Sequence, residues 1–258
     1  MTNKITVGIV TWIQRKDLIG ELVQNIRKHS GDDVDIIMAV NAEIGEDFND
    51  EYRKYILQLC SDTKNCYPIF CTEFKSLPKL WNTIVIFSKT NYNLILSDDV
   101  AYSGNVVKDV NNIIDQTGSE FFTLNHQFAH FVVTKERLHT LGYFDERLIT
   151  YGEEDGDMVH RHIELFGSRM HDFFVPSLQH NARYTDVQKN TEIHIDNKPL
   201  VNKKIREVKY NPSPTGIKGM WDEPMVKVWE DYQQYPYEKF VLNNKHNVLK
   251  FDKIVEEY

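Results

Sequence analysis

At 258 residues, 41% hydrophobic and 26% charged, the chain carries enough apolar material for one large core, or one core with an appended segment. A formal net charge of −8 disfavours duplex nucleic acid as the main partner, because phosphate binding requires a basic surface. No window approaches the roughly 18 consecutive apolar residues of a spanning helix, and the amino terminus, MTNKITVGIVTW, lacks the basic stretch and long apolar run of a signal peptide. A cytoplasmic protein without a membrane span is the expectation, and Cys60, Cys66 and Cys71 agree with a reducing compartment, since their spacing fits neither a zinc pattern nor a disulfide framework.

Along the chain, ITVGIVT (5–11) is a β-branched run that predicts a buried strand, and DLIGELVQNIRKHSG follows with Leu18, Leu22 and Ile26 at helical spacing and Gly31 as the stop. VDIIMAVN (34–41) and YPIFCTE (67–73) predict two further strands. Between Pro78 and Lys89, the positions of Leu80, Trp81, Ile84, Val85 and Phe87 predict a helix, which feeds a strand ending at Asp98. Strand and helix in alternation specify an α/β fold with a mostly parallel sheet and crossover helices. After Asp99 the pattern changes: a helix near 105–115 precedes FFTLNHQFAHFVVT, whose two apolar runs predict antiparallel or mixed strands. From about residue 186 the sequence turns polar, with Pro212 and Pro214, and then regains aromatics in Trp221, Trp229, Tyr232, Tyr235 and Tyr237. Residues 1–185 are therefore expected to form the core and 186–258 an extension packed on it, unless those aromatics make a homodimer contact.

Two acidic clusters carry chemistry. Asp98 and Asp99 end an apolar strand, which suits either a turn or a divalent cation at the carboxyl edge of a sheet. Glu153, Glu154, Asp155 and Asp157 crowd a second segment, YGEEDGDMVHR. On a helix beginning near Glu154, Asp155 shares a face with Met158, Val159, Ile163 and Phe166, so it heads the inward stripe. First-turn acids often serve only the helix dipole, yet a carboxylate at the edge of a core is also a candidate general base. Trp12 and Arg15 lie just past the first strand, where stacking and phosphate pairing compete with core packing and surface charge as explanations. His180 is a surface histidine or a ligand, and NKPLVNKKIREVK (197–209) reads as a solvated face.

The TWIQR stretch after the first strand, the strand ending in Asp98-Asp99, and GYFDERLITYGEEDGDMVHR together resemble the family-2 glycosyltransferases over about residues 5–185. The resemblance implies a GT-A-type fold, with a mixed, mostly parallel sheet flanked by helices, a nucleotide-sugar half over about 1–103 and an acceptor half over about 104–185. Ser97-Asp98-Asp99 stands where that family keeps its DxD-type motif. With serine in the first position, Asp99 is the implied ligand of Mn²⁺ or Mg²⁺, joined by His180, while Ser97 and Asp98 contact the ribose or orient the loop. Thr11, Trp12 and Arg15 fall on the donor side, VNAE leaves Asn41 or Glu43 to meet the base, and SLPKLWN supplies Lys79 and Asn82. The implied reaction moves a sugar from a nucleoside-diphosphate sugar, a UDP-sugar favoured, to a hydroxyl of a glycan or other acceptor with inversion. Asp155 is the base and Glu154 its rival. A nucleotidyltransferase would be expected to carry a glycine-rich loop after the first strand, and TWIQRKD has no glycine. An inactive sugar-nucleotide-binding module would tolerate loss of either acidic cluster, and both are present.

Overall fold

Ile5–Trp12 forms the first strand, β1, and a single turn of 3-10 helix, Ile13–Arg15, leads directly into α1 (Lys16–Ser30). Helix α1 buries Leu18, Ile19, Leu22, Val23 and Ile26, each worth about 1.5–3 kcal/mol of transfer free energy when fully enclosed. Gly31 ends it at φ 83°, a left-handed conformation that costs glycine least. The computed structural model describes residues 3–43, 47–146, 148 and 153–180. The expected extension 186–258, its aromatics and the dimer contact lie outside the described residues, as does the side chain of His180.

β2 (Asp35–Asn41), α2 (Asp50–Ser61), β3 (Cys66–Phe70), α3 (Leu77–Phe87) and β4 (Tyr92–Ser97) continue the alternation. Helix α2 is the crossover that two parallel strands require; Asn49 caps it by accepting from the Tyr52 N–H at 2.9 Å. After β4 come β5 (Val100–Tyr102), α4 (Val106–Thr117), β6 (Phe121–Leu124), β7 (Gln127–Thr134), α5 (Lys135–Leu141), α6 (Glu154–Phe166), β8 (His171–Phe173) and β9 (Leu178–His180). Asn125 and His126, at φ 56° and 59°, supply the two left-handed residues of the hairpin between β6 and β7.

The seven-stranded sheet has the order β3-β2-β1-β4-β7-β6-β8, and β5 pairs with β9 in a separate two-stranded sheet. β3, β2, β1 and β4 are parallel; β7 runs antiparallel to both β4 and β6, and β8 parallel to β6. The mixed, mostly parallel sheet expected from the sequence is the one observed. Val7 and Ile9 on one face of β1 pack in the core with Ile19, Val23 and Ile26 of α1. On the other face α3 presses onto Gly8, where a Cβ would stand 2.4 Å from Ile84 Cγ2 and 2.7 Å from Ile95 Cδ1, so that only glycine fits. Among the described residues β3 is an outer strand, with Pro68 at its centre opposite Met38.

The chain divides into two compact units. One comprises the described residues of Met1–Lys75, Thr83–Lys135 and His171–Ile193, and holds every strand; the other comprises those of Ser76–Asn82 and Glu136–Met170, with α5 and α6. Among the described residues, no helix is long and apolar enough to cross a membrane.

Candidate functional site

In the sheet-bearing unit, register lines up the carboxyl ends of three strands: Trp12 of β1 pairs with Asn41 of β2, and Val10 of β1 with Ser97 of β4. β1 is flanked by β2, the next strand in the chain, and on its other side by β4, so the strand order reverses between β1 and β4. Open α/β sheets bind ligands at the carboxyl side of such a reversal.

Ser97, the last residue of β4, lies there with Asp98 and Asp99, which form the turn between β4 and β5. The Ser97 hydroxyl donates to Asp99 Oδ1, and the Ser97 N–H points at the buried His130 Nδ1 at 3.4 Å. Arg15 reaches the turn from the 3-10 helix, with Nη1 3.5 Å from Asp99 Oδ2 and 3.9 Å from Asp98 Oδ1. All three charged residues are nearly enclosed, at 8% exposure for Arg15, 6% for Asp98 and 5% for Asp99. Burial pushes the Asp98 carboxyl up to about 7, against the pull of Arg15; the Asp99 charge adds to the rise. Asp98 Oδ2 is enclosed without a hydrogen-bond partner, an acceptor that a ligand group can satisfy. The backbone of His180 pairs with Val100, immediately after Asp99, so β9 flanks the acidic turn.

The other residues expected on the donor side divide by what they hold. Thr11 is buried and shares a 3.0 Å hydrogen bond with the Tyr52 hydroxyl, whose acidity burial suppresses. Trp12 is half-buried at the strand end. Asn41 turns its amide to the Lys75 backbone, donating to Lys75 O at 2.8 Å and accepting from Lys75 N at 2.9 Å. Glu43 accepts from Gln14 at 2.9 Å, near the surface.

The second unit gathers the remaining candidates. Glu154, Asp155 and Asp157 occupy the first turn of α6, where exposed N–H groups and the dipole favour acids. The inward stripe expected from helical spacing departs from the observed one: Phe166 is 39% exposed, Asp155 half-buried, and Glu154 (7%) and Asp157 (2%) are more enclosed. The buried arc runs almost unbroken through residues 156–162, because polar side chains there find polar partners. Asp157 Oδ2 accepts from Arg161 Nε at 3.0 Å and Nη2 at 2.5 Å; Arg161 Nη1 donates to Leu141 O at 2.6 Å and Tyr143 O at 2.5 Å. Asp155 Oδ1 accepts from the Gly156 N–H at 2.8 Å.

Lys79 and Asn82, on α3, meet an acid that sequence reasoning passed over. Lys79 Nζ lies 2.8 Å from Glu146 Oε2, and Asn82 Nδ2 donates to Glu146 Oε1 and to Phe144 O, both at 2.9 Å. Asn82 Oδ1 accepts from the Phe144 N–H at 3.0 Å, so its amide fastens the 144–146 segment. Burial raises the Glu146 carboxyl above its usual range, outweighing Lys79 and Asn82. Its place in GYFDE was a signal for Glu146; nothing in the spacing pointed to His130.

Among the described residues, no three His, Cys, Asp or Glu side chains converge as a metal cluster. A pair of carboxylates is nonetheless the usual protein share of an Mg²⁺-type site, where substrate phosphates and water complete the shell. The hard carboxylate oxygens of Asp99 fit such an ion, and the orphaned Asp98 Oδ2 leaves a separate acceptor for another ligand group.

No protein-family model and no curated protein matches the sequence. Solved structures match in fold. GalNAc-T7, solved with UDP, GalNAc and Mn²⁺, superposes at TM-score 0.55 and 11% identity over 96% of this chain and 58% of its own. S. aureus TarS 1–349 matches at TM-score 0.52 and 12% identity over 83% of this chain and 74% of its own. The mannosyltransferase PcManGT of Pyrobaculum calidifontis, solved with GDP-Man and Mn²⁺, matches at 0.51 and 14% over 68% of this chain. The chain spans 55% of that mannosyltransferase.

Proposed function

From a GT-A-type glycosyltransferase fold, we propose that the protein is a metal-dependent glycosyltransferase that moves a sugar from a nucleoside-diphosphate sugar to an acceptor hydroxyl with inversion. The observation that carries the reading is the acidic turn at the strand-order reversal, Asp98 and Asp99 enclosed beside Arg15.

In this reading Asp99 would hold a divalent cation, Mn²⁺ or Mg²⁺, with His180 as a second ligand, and such an ion would supply positive charge against that developing on the departing diphosphate. Ser97 orients Asp99 through its hydroxyl. Asp98 turns its orphaned oxygen to a ribose hydroxyl. Arg15, already among the carboxylates, carries positive charge to the phosphates, and Trp12 offers a ring to the donor. Asn41 and Lys79 act at one remove, Asn41 by holding the Lys75 backbone and Lys79 by holding Glu146. Asp155 takes the proton of the acceptor hydroxyl as the new bond forms, a contribution of roughly 10² to 10⁴ in rate. A base that activates the acceptor for direct displacement at the anomeric carbon gives inversion.

The test is calorimetry of UDP and GDP with and without Mn²⁺, followed by hydrolysis and transfer assays over a panel of nucleotide sugars. Metal-dependent binding that Asp99→Ala abolishes, in a variant with unchanged circular dichroism, supports the reading. Nucleotide affinity indifferent to both Mn²⁺ and the substitution removes it.

A further inference from the structure

Far from the acidic turn, two of the three cysteines meet. Cys60 lies in the last turn of α2 and Cys66 is the first residue of β3, and the Cys60 thiol donates to Cys66 Sγ at 3.8 Å. Cys66 pairs with Ile36 near the start of β2, so the pair sits at the amino edge of the sheet, about 17 Å along β2 from its carboxyl end.

We propose that Cys60 and Cys66 are a peroxide-reactive dithiol that closes to a reversible intrachain disulfide. The loop between them, Ser61–Asn65, is already fixed in the conformation that holds the two sulfurs together. Asn65 takes a left-handed φ of 53°, its carbonyl accepts from Ile36 N at 2.8 Å and from Arg27 Nη2 at 3.0 Å, and its side chain donates to Asp32 O at 2.8 Å. Closure to a disulfide draws the sulfurs from 3.8 Å to about 2.05 Å.

Chemistry divides the roles. The hydrogen bond from Cys60 holds the Cys66 thiol below its ordinary range, Arg27 helps, and burial opposes; the same bond, with burial, holds Cys60 above its own. Arg27 Nη2 holds the carbonyl of Asn65, the residue before Cys66, at 3.0 Å, which brings a positive charge to this end of the strand. Cys66 accepts the bond from Cys60 and follows Asn65, whose carbonyl Arg27 holds, so it is assigned as the attacking thiolate. It displaces hydroxide from hydrogen peroxide to give a Cys66 sulfenic acid, and the hydroxide takes up a proton to leave as water. Cys60 then attacks the Cys66 sulfur, its thiol proton leaving with the sulfenic hydroxyl as a second water. Two thiols and one peroxide become one disulfide and two waters, and an external dithiol reverses the change. Cys66 is 6% exposed, which admits a peroxide more readily than a bulky disulfide, and Cys60 is half-buried beside it. Cys71, just past the far end of β3 from Cys66, serves as the internal control.

The experiment uses the full chain. After stoichiometric hydrogen peroxide under native conditions, iodoacetamide labelling in denaturant should fall from three thiols to one, with the remaining label on Cys71, and peptide mapping should link Cys60 to Cys66. Dithiothreitol should restore all three. Cys60→Ser should arrest oxidation at a Cys66 sulfenic acid that dimedone traps, and this arm needs no disulfide to form. Retention of three reactive thiols after peroxide, or oxidation confined to Cys71, overturns the proposal. A disulfide between two chains in place of the intrachain link overturns it equally.

Discussion

Asp157→Asn separates the acid of α6 that holds Arg161 from those proposed to act on the acceptor. Arg161 is 1% exposed and Asp157 2%, so neither charge has water to fall back on. The arginine makes two bonds to Asp157 Oδ2 and two to the carbonyls of Leu141 and Tyr143. Asparagine keeps an acceptor oxygen but removes the countercharge, leaving an enclosed cation held by neutral dipoles. Breaking a buried pair from one side costs about 3–5 kcal/mol, a factor of 100 or more in the folding equilibrium. Guanidinium denaturation followed by circular dichroism reads the loss as a lower midpoint with an unchanged slope. A double variant, Asp157→Leu with Arg161→Met, should recover most of it, because a matched apolar pair leaves no stranded charge. Asp157→Asn within about 0.5 kcal/mol of the parent, or a double variant as unstable as the sum of the singles, refutes this account.

Asp155→Asn should leave that midpoint nearly unchanged and reduce turnover by roughly 10² to 10⁴, with nucleotide affinity retained. Glu154→Gln is measured beside it, and near-normal turnover for the first with collapse for the second moves the base by one residue. Gly8→Ala should destabilise the fold by about 1–3 kcal/mol in thermal or chemical denaturation, since the new methyl group meets Ile84 at 2.4 Å; a neutral effect would mean that α3 is free to shift. Glu146→Gln tests a titration. Its carboxyl binds a proton more tightly in the folded than in the unfolded chain, so Glu146 lowers stability as pH rises from about 4.5 to its raised folded value. The variant should lack that decline, and stability-against-pH curves that run parallel for the two proteins would contradict it.

The legible parts of this fold were those written in hydrophobic alternation. β1, β2 and β4 are β-branched or aliphatic runs bounded by polar residues, and α1 presents Leu18, Leu22 and Ile26 on one face with Gly31 beyond. The acidic turn was legible because carboxylates after an apolar strand have few explanations. What escaped was burial by polar pairing. Arg161, His160 and His162 are all enclosed, through Asp157, Glu164 and the Ser168 carbonyl among their partners, and an apolar stripe is blind to such residues. For the same reason spacing did not reveal that Asn41 and Asn82 turn their amides to backbone groups of Lys75 and Phe144. The meeting of Cys60 and Cys66 depends on a left-handed Asn65, a conformation that nothing in the cysteine spacing specifies.

The proline in β3 bears on how the molecule behaves in a crowded solution. Cys71 N donates inward to Val40 O, and donors alternate along a strand, so the N–H groups of residues 66 and 70 point outward and position 68 has none to offer. An incoming strand would find two donors about 13 Å apart with a gap between them. An outer strand interrupted in this way is a poor template for sheet-to-sheet growth. Pro68→Ala would supply the missing donor and make that edge a continuous ladder, open to self-association through its backbone.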